Sequence, residues 1–292
     1  MGASSTLPRR LLGRELNALR EAAGITMDEA KKAISVGKQT IWRMETGQPV
    51  RLRLIDVERL CQVYGADDAK IAVLLGLAEE AQSKGWWNAF DDAIPQDFNL
   101  FVGLEQSAQR LTSYQPLLVP GLLQTVEYRR EVLWSEFPNM DTSEVERRIE
   151  LSQHRKVRLA DTENPIQLSI IADELALCRP IGGPEVMATQ IRHLLEFGTL
   201  ENISIRLVPK SVGMHIGMIT NNFVLMEFPP HPRAHLTEPP IVFVQGYTGG
   251  LYLEKESEVA IYRDACTRLQ RIVLAENDSR TVMTHILKEL TR

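Results

Sequence analysis

Apolar residues recur at helical spacing through the first quarter of the chain. Leu12, Leu16 and Leu19 share one stripe of residues 9–22, the recurrence of three and four positions that marks a helix with one buried face. In residues 26–47, TMDEAKKAISVGKQTIWRMETG, the pattern predicts two short helices joined by a tight turn. The second turns Val36, Ile41 and Met44 inward and Lys38, Gln39, Thr40 and Arg43 outward. Gly47 is placed to end it in a left-handed conformation. Leu54, Val57, Leu60, Cys61 and Tyr64 predict a fourth helix over residues 52–64, and Ile71, Leu74, Leu75 and Ala78 a fifth over residues 67–82.

Helical periodicity then breaks. Residues 83–98, SKGWWNAFDDAIPQDF, carry Gly85 and Pro95 and set Trp86 beside Trp87, the punctuation of a linker between domains. Beyond it, Phe101, Leu104, Ala108 and Leu111 predict a helix over residues 100–112. Pro120 suits the first turn of another, which runs on through Leu122, Leu123, Tyr128, Val132 and Leu133. Residues 143–159 form a third, charged along one side. Residues 166–171 alternate like a strand, and residues 184–200 form a helix with Val186, Met187, Ile191, Leu194 and Leu195 inward. Residues 203–208, 222–228, 241–244 and 251–253 are predicted strands, and residues 257–275 and 280–290 close the chain as helices. The order predicts a mainly α chain with an α+β carboxyl-terminal body. The head is a five-helix domain over residues 1–82, and the body, residues 99–292, has a small sheet flanked by helices.

The pair of helices over residues 26–47 is a helix-turn-helix, since one face is buried while long polar donors face outward where base edges and phosphates would lie. Five helices in this order, with TIWRMETG closing the second helix of the motif, resemble the Xre (phage-repressor-like) family of DNA-binding domains. The resemblance covers residues 7–82. Lys31, Ser35 and Gly37 depart from the family's usual small residue, turn glycine and serine or threonine cap. In the body, YQPLLVPGLLQTVEY, IGGPEVMATQIRHLL, ISIRLVP and GLYLEKESEV are similar to the WhiJ-type, antitoxin-like regulators of actinomycetes, with HRKVRL at residues 154–159 a departure. The resemblance implies a transcriptional regulator that binds double-stranded operator DNA as a homodimer, its body sensing a small-molecule effector or a small protein encoded nearby. The alternative it implies is an antitoxin-like module that sequesters a small partner, with DNA binding as autoregulation.

Composition changes this picture in one respect. The 292 residues carry a net charge of −5, yet residues 1–59 hold 11 Lys and Arg against 7 Asp and Glu, so a head of +4 is joined to a remainder of −9. Screening confines each charge to about 8 Å at physiological salt, so the local patch governs DNA binding. Cys61, Cys178 and Cys266 are far apart and in no CxxC pair, which points to free thiols rather than a disulfide framework. No apolar run approaches the roughly 20 residues of a membrane span, and MGASSTLPRR lacks a signal-peptide core. The expected location is the cytoplasm, at the nucleoid.

Within the head, Arg43 suits bidentate contact with guanine and Gln39 with adenine. Lys38 and Thr40, at the helix start, suit phosphates, and Arg51 and Arg53 suit the DNA backbone. Trp42 faces either a thymine methyl in the groove or the neighbouring helix. Glu45 is expected to be structural, paired within the domain. Trp86 and Trp87 either dock the end of the head or stack on a ligand, and His215, in a glycine-flanked loop before a strand, is a candidate ligand contact. No GxSxG, HExxH, Walker loop or GxGxxG is present, so no catalysis, cofactor or metal is expected. His231 and His235 lie in a proline-rich loop unsuited to holding a metal.

Overall fold

Helix punctuation sets the first elements. The computed structural model describes residues 7–83, 85–90, 96–161, 163 and 165–292; the expected linker residues 84 and 91–95 lie outside them. The chain forms two units, Met1–Ser107 with His231–Glu238, and Ala108–Pro230 with Pro239–Arg292.

In the first unit, α1 (Leu7–Ala22) ends at Gly24 (φ 68), and α2 (Met27–Ala33) begins with a reciprocal cap between Thr26 and Glu29. Next come α3 (Lys38–Glu45), α4 (Leu54–Val63) and α5 (Asp68–Gln82), then a 3-10 turn at Trp86–Phe90 and α6 (Gln96–Ser107). Leu12, Leu16, Ile41, Met44, Val57, Leu60 and Leu74 form the shared core. A methyl at Gly13 of α1 would lie 2.6 Å from the Met44 carbonyl oxygen, so only glycine lets α1 approach the end of α3 so closely. Residues His231–Glu238 complete this unit, with the buried Glu238 carboxylate accepting from Arg10 Nε at 2.8 Å and from Arg14.

The second unit has the α+β class expected of the body. Its strands are β1 (Arg110–Gln115), β2 (Gln167–Asp173), β3 (Ile203–Val208), β4 (Phe223–Glu227), β5 (Ile241–Gly246) and β6 (Gly249–Leu253). They form one sheet in the order β3-β2-β1-β4-β5-β6, with β1, β2 and β3 parallel and the remaining neighbours antiparallel. Parallel neighbours need long crossovers. These are α7 (Val126–Glu136) with α8 (Thr142–Lys156), then α9 (Glu174–Cys178) with α10 (Pro184–Phe197). A short turn, α11 (Gly217–Thr220), lies between β3 and β4, and α12 (Glu256–Gln270) and α13 (Glu276–Leu290) end the chain. Tyr114, Ile171, Phe223 and Val242 on one sheet face pack with Val259, Cys266 and Leu269 of α12. At the β3 edge, Ser279 of α13 accepts the Leu207 amide at 3.0 Å.

Two expectations need correction. The helix predicted over residues 100–112 stops at Ser107, and residues 110–115 are the central strand, paired with β2 on one side and β4 on the other. Leu111 extends the helical stripe by chance, and pairing on both sides outweighs that local preference. The helix predicted from Pro120 is a 3-10 turn at Gly121–Leu123 followed by α7. Gln190 Nε2 donates to the Leu123 carbonyl and its Oε1 accepts the Thr125 amide, both at 2.7 Å. Those contacts take backbone groups that a continuous helix would use for itself.

Candidate nucleic-acid interface

The α2–α3 turn is made by Ser35 at φ 55, a left-handed conformation in which a Cβ is unfavourable. Gly37 precedes α3 with extended backbone and no side-chain cap, which leaves the first amides of α3 to water or to a phosphate. At the other end Gly47 takes φ 66, with its amide donating to Met44 and that of Gln48 to Arg43. This pairing satisfies the last carbonyls and stops the helix.

The inner face of α3 is fixed by Ile41 and Met44, both buried, and by Glu45. Glu45 accepts from Arg20 Nε at 2.7 Å and from its NH2 at 2.9 Å, and the Tyr64 hydroxyl lies 3.5 Å away. Burial and the neighbouring Glu45 charge push the Tyr64 phenol well above its usual range, while the hydrogen bond to Glu45 raises Arg20 further. Glu45 is thus paired inside the head, as expected for an acid so near the outward face.

That outward face carries Lys38, Gln39, Trp42 and Arg43, all exposed, with Thr40 half-buried. Trp42 keeps 46% of its surface in solvent. Among the described residues Arg43 and Arg51 have no acidic partner within ion-pair distance. Lys38 Nζ lies 3.3 Å from Asp28, which also pairs with Lys31 at 2.9 Å. Hydrogen bonding from Lys31, then Lys38, holds the Asp28 carboxyl below the ordinary carboxylate range. The link from Asp28 to Lys38 has no signal in the sequence, because the two stand ten residues apart across the turn. Arg53 is exposed but held in a fork on Asp56, at 2.6 and 2.7 Å. Lys38, Gln39, Trp42 and Arg43 therefore share one helix face, while Arg51 and Arg53 precede α4.

The other candidates are placed elsewhere. Trp86 and Trp87 meet edge to face with ring centroids 5.9 Å apart, and Trp86 meets Phe90 at 6.0 Å. Trp87 is buried against Gly85, and Trp86 is half-buried. His215 belongs to the second unit. Its side chain is 6% exposed, its Nε2 lies 3.7 Å from an Asp173 oxygen, and its ring meets that of Tyr114 edge to face at 6.4 Å. Neither Tyr114 nor Asp173 stands out in the sequence as a partner of His215. Glu174 is buried and paired with Lys210 at 3.0 Å. His231 Nδ1 accepts the Arg233 amide at 3.0 Å, and no group of three or more metal-ligating side chains occurs among the described residues. Among those residues no helix is long and apolar enough to cross a membrane.

A helix-turn-helix domain model matches residues 11–74, and the model for Domain of unknown function (DUF5753) matches residues 98–285. The first supports a DNA-binding, Xre-like regulator. No curated protein and no solved structure matches the chain.

Proposed function

Because the chain belongs to the family of Domain of unknown function (DUF5753) and carries an amino-terminal helix-turn-helix, we propose that it is a sequence-specific transcriptional regulator binding operator DNA as a homodimer. One observation carries this reading. Helix α3 is anchored by its inner side while, among the described residues, Gln39, Trp42 and Arg43 stand exposed and without an acidic partner on the other, the division of labour a recognition helix needs. Arg43 reads guanine, Gln39 adenine, and Trp42 a thymine methyl. Lys38, Thr40, Arg51 and Arg53 hold phosphates. A single module covers a small interface, and two-fold pairing doubles it.

The body, whose likeness to WhiJ-type regulators motivates the assignment, senses an effector, and the protein works in the cytoplasm without catalysing a reaction. Selection of bound duplexes from a random pool tests the proposal. The expected product is an inverted repeat with half-sites about 34–36 Å apart centre to centre, bound by a species of twice the chain mass. A pool that returns no enriched sequence overturns the reading.

A further inference from the structure

Strands β1 and β2 are parallel neighbours, and β1 has the antiparallel β4 on its other side, so the chain changes direction across the sheet at β1. The crevice beyond the carboxyl ends of such strands is where α/β sheets bind ligands. Tyr114 and Asp173 stand at those ends, and the segment joining β3 to β4, residues 209–222, brings His215 against both.

Two buried polar atoms there lack partners. Among the described residues the Tyr114 hydroxyl and His215 Nδ1 have no hydrogen-bond partner, although Tyr114 is fully buried and the His215 side chain is 6% exposed. Buried polar groups are nearly always satisfied, so a pair of orphans in touching residues calls for an explanation. The segment above them is unusual in two further ways. Met214, Met218 and Ile219 are 72%, 60% and 65% exposed, an apolar display that soluble proteins rarely leave without a use. Asn221 adopts φ 55, ψ −162, a region otherwise almost reserved for glycine and a mark of stored strain. Gly217 of α11 lies so close to the Tyr114 ring that a methyl there would overlap its hydroxyl.

We infer that the carboxyl edge of β1 and β2, covered by residues 209–222, is a binding site for a small, largely hydrocarbon molecule bearing a hydroxyl group. The Tyr114 hydroxyl can donate or accept, and His215 Nδ1 accepts when the ring proton sits on Nε2, the nitrogen nearer Asp173. A hydroxyl gives one hydrogen bond and takes one, so it complements both. The Asp173 carboxylate disfavours an acid at the same place. The hydrocarbon body covers Met214, Met218 and Ile219, and α11 lifts on Gly213 and Asn221 to admit the polar end. This assignment rests on the reading of the body as a sensor and gives that reading a location.

Calorimetry on the full chain without DNA tests the site, using 4-butylphenol, butylbenzene and 4-butylbenzoate as probes. The phenol should bind best, with slowed amide exchange in residues 209–222. Tyr114→Phe should bind the phenol roughly three- to tenfold more weakly, the worth of one neutral hydrogen bond. The variant's melting temperature should be unchanged or higher, because the lost hydroxyl had no partner. Equal binding of all three probes, or a Tyr114→Phe variant that binds 4-butylphenol as the parent does, overturns the site. Selective binding with no change in operator affinity supports the site and overturns the sensor reading instead.

Discussion

Arg20 of α1 grips Glu45 of α3 through two hydrogen bonds, 2.7 and 2.9 Å, with both side chains buried. The pair ties the scaffold helix to the back of the proposed recognition helix. Removing one partner strands a charge in the head's interior, which costs about 3–5 kcal/mol. Glu45→Ala should therefore lower head stability by that order in urea unfolding. The double variant Arg20→Met with Glu45→Leu should recover most of the loss, because a buried pair replaced by apolar groups is often neutral. A single variant as stable as the parent would remove the pair from the account of how α3 is aimed.

Ser35 offers a test in the opposite direction. Its φ of 55 places a Cβ where left-handed backbone is penalised by roughly 1–2 kcal/mol. Ser35→Gly relieves that strain but adds freedom to the unfolded chain, so a net gain of about 0.5–1 kcal/mol is expected. Differential scanning calorimetry should show the first unit melting higher, with operator affinity unchanged.

These two residues also show what the sequence could and could not reveal. The inward stripe of Val36, Ile41 and Met44 and the stop at Gly47 are local signals, each visible within a few positions, and the helix pair was legible from them even though Ser35 and Gly37 depart from the usual turn glycine and cap. The partner of Glu45 lies 25 residues away and the two arginines on Glu238 more than 220; nothing local encodes such pairings. Strand β1 was hidden for a related reason. Its six residues alternate too briefly to outweigh a helical stripe that Leu111 happens to continue, and only β2 and β4 on either side make it a strand. His215 was visible as a histidine in a glycine-flanked loop, whereas its setting between Tyr114 and Asp173 comes from the parallel pairing alone.

Lys38 and Arg43 should behave differently on DNA. Arg43 has no acidic partner among the described residues, so Arg43→Ala should lose about 1–3 kcal/mol on the preferred operator and relax one base preference. Lys38 already shares Asp28 at 3.3 Å and would exchange a carboxylate for a phosphate. Lys38→Ala should weaken all sequences alike and reduce the salt slope by about 1. Asp28→Asn, which frees both Lys38 and Lys31, should strengthen binding uniformly. Fluorescence anisotropy across a salt series separates the cases, and unchanged binding in both the Arg43 and Lys38 variants would reject α3 as the recognition helix.

Lys156, at the end of α8, gives the body a pH signature. Its ammonium donates to the Gln124 carbonyl and to Gln153 Oε1 at 3.4 Å, yet burial, then the neighbouring Arg155 charge, pulls its pKa down to about 8. The unfolded lysine titrates near its ordinary value of 10.5. Between those values the unfolded chain holds the extra proton, so stability rises with pH across that window. The contribution is complete above pH 10.5 and is lost as pH falls through about 8. Other groups titrate in the same range, so the comparison must be with Lys156→Met. The difference in unfolding free energy between parent and variant should tilt toward the parent from pH 8 to 10.5 and be flat from pH 6 to 7. A difference that stays flat throughout would place Lys156 in water rather than against Gln124.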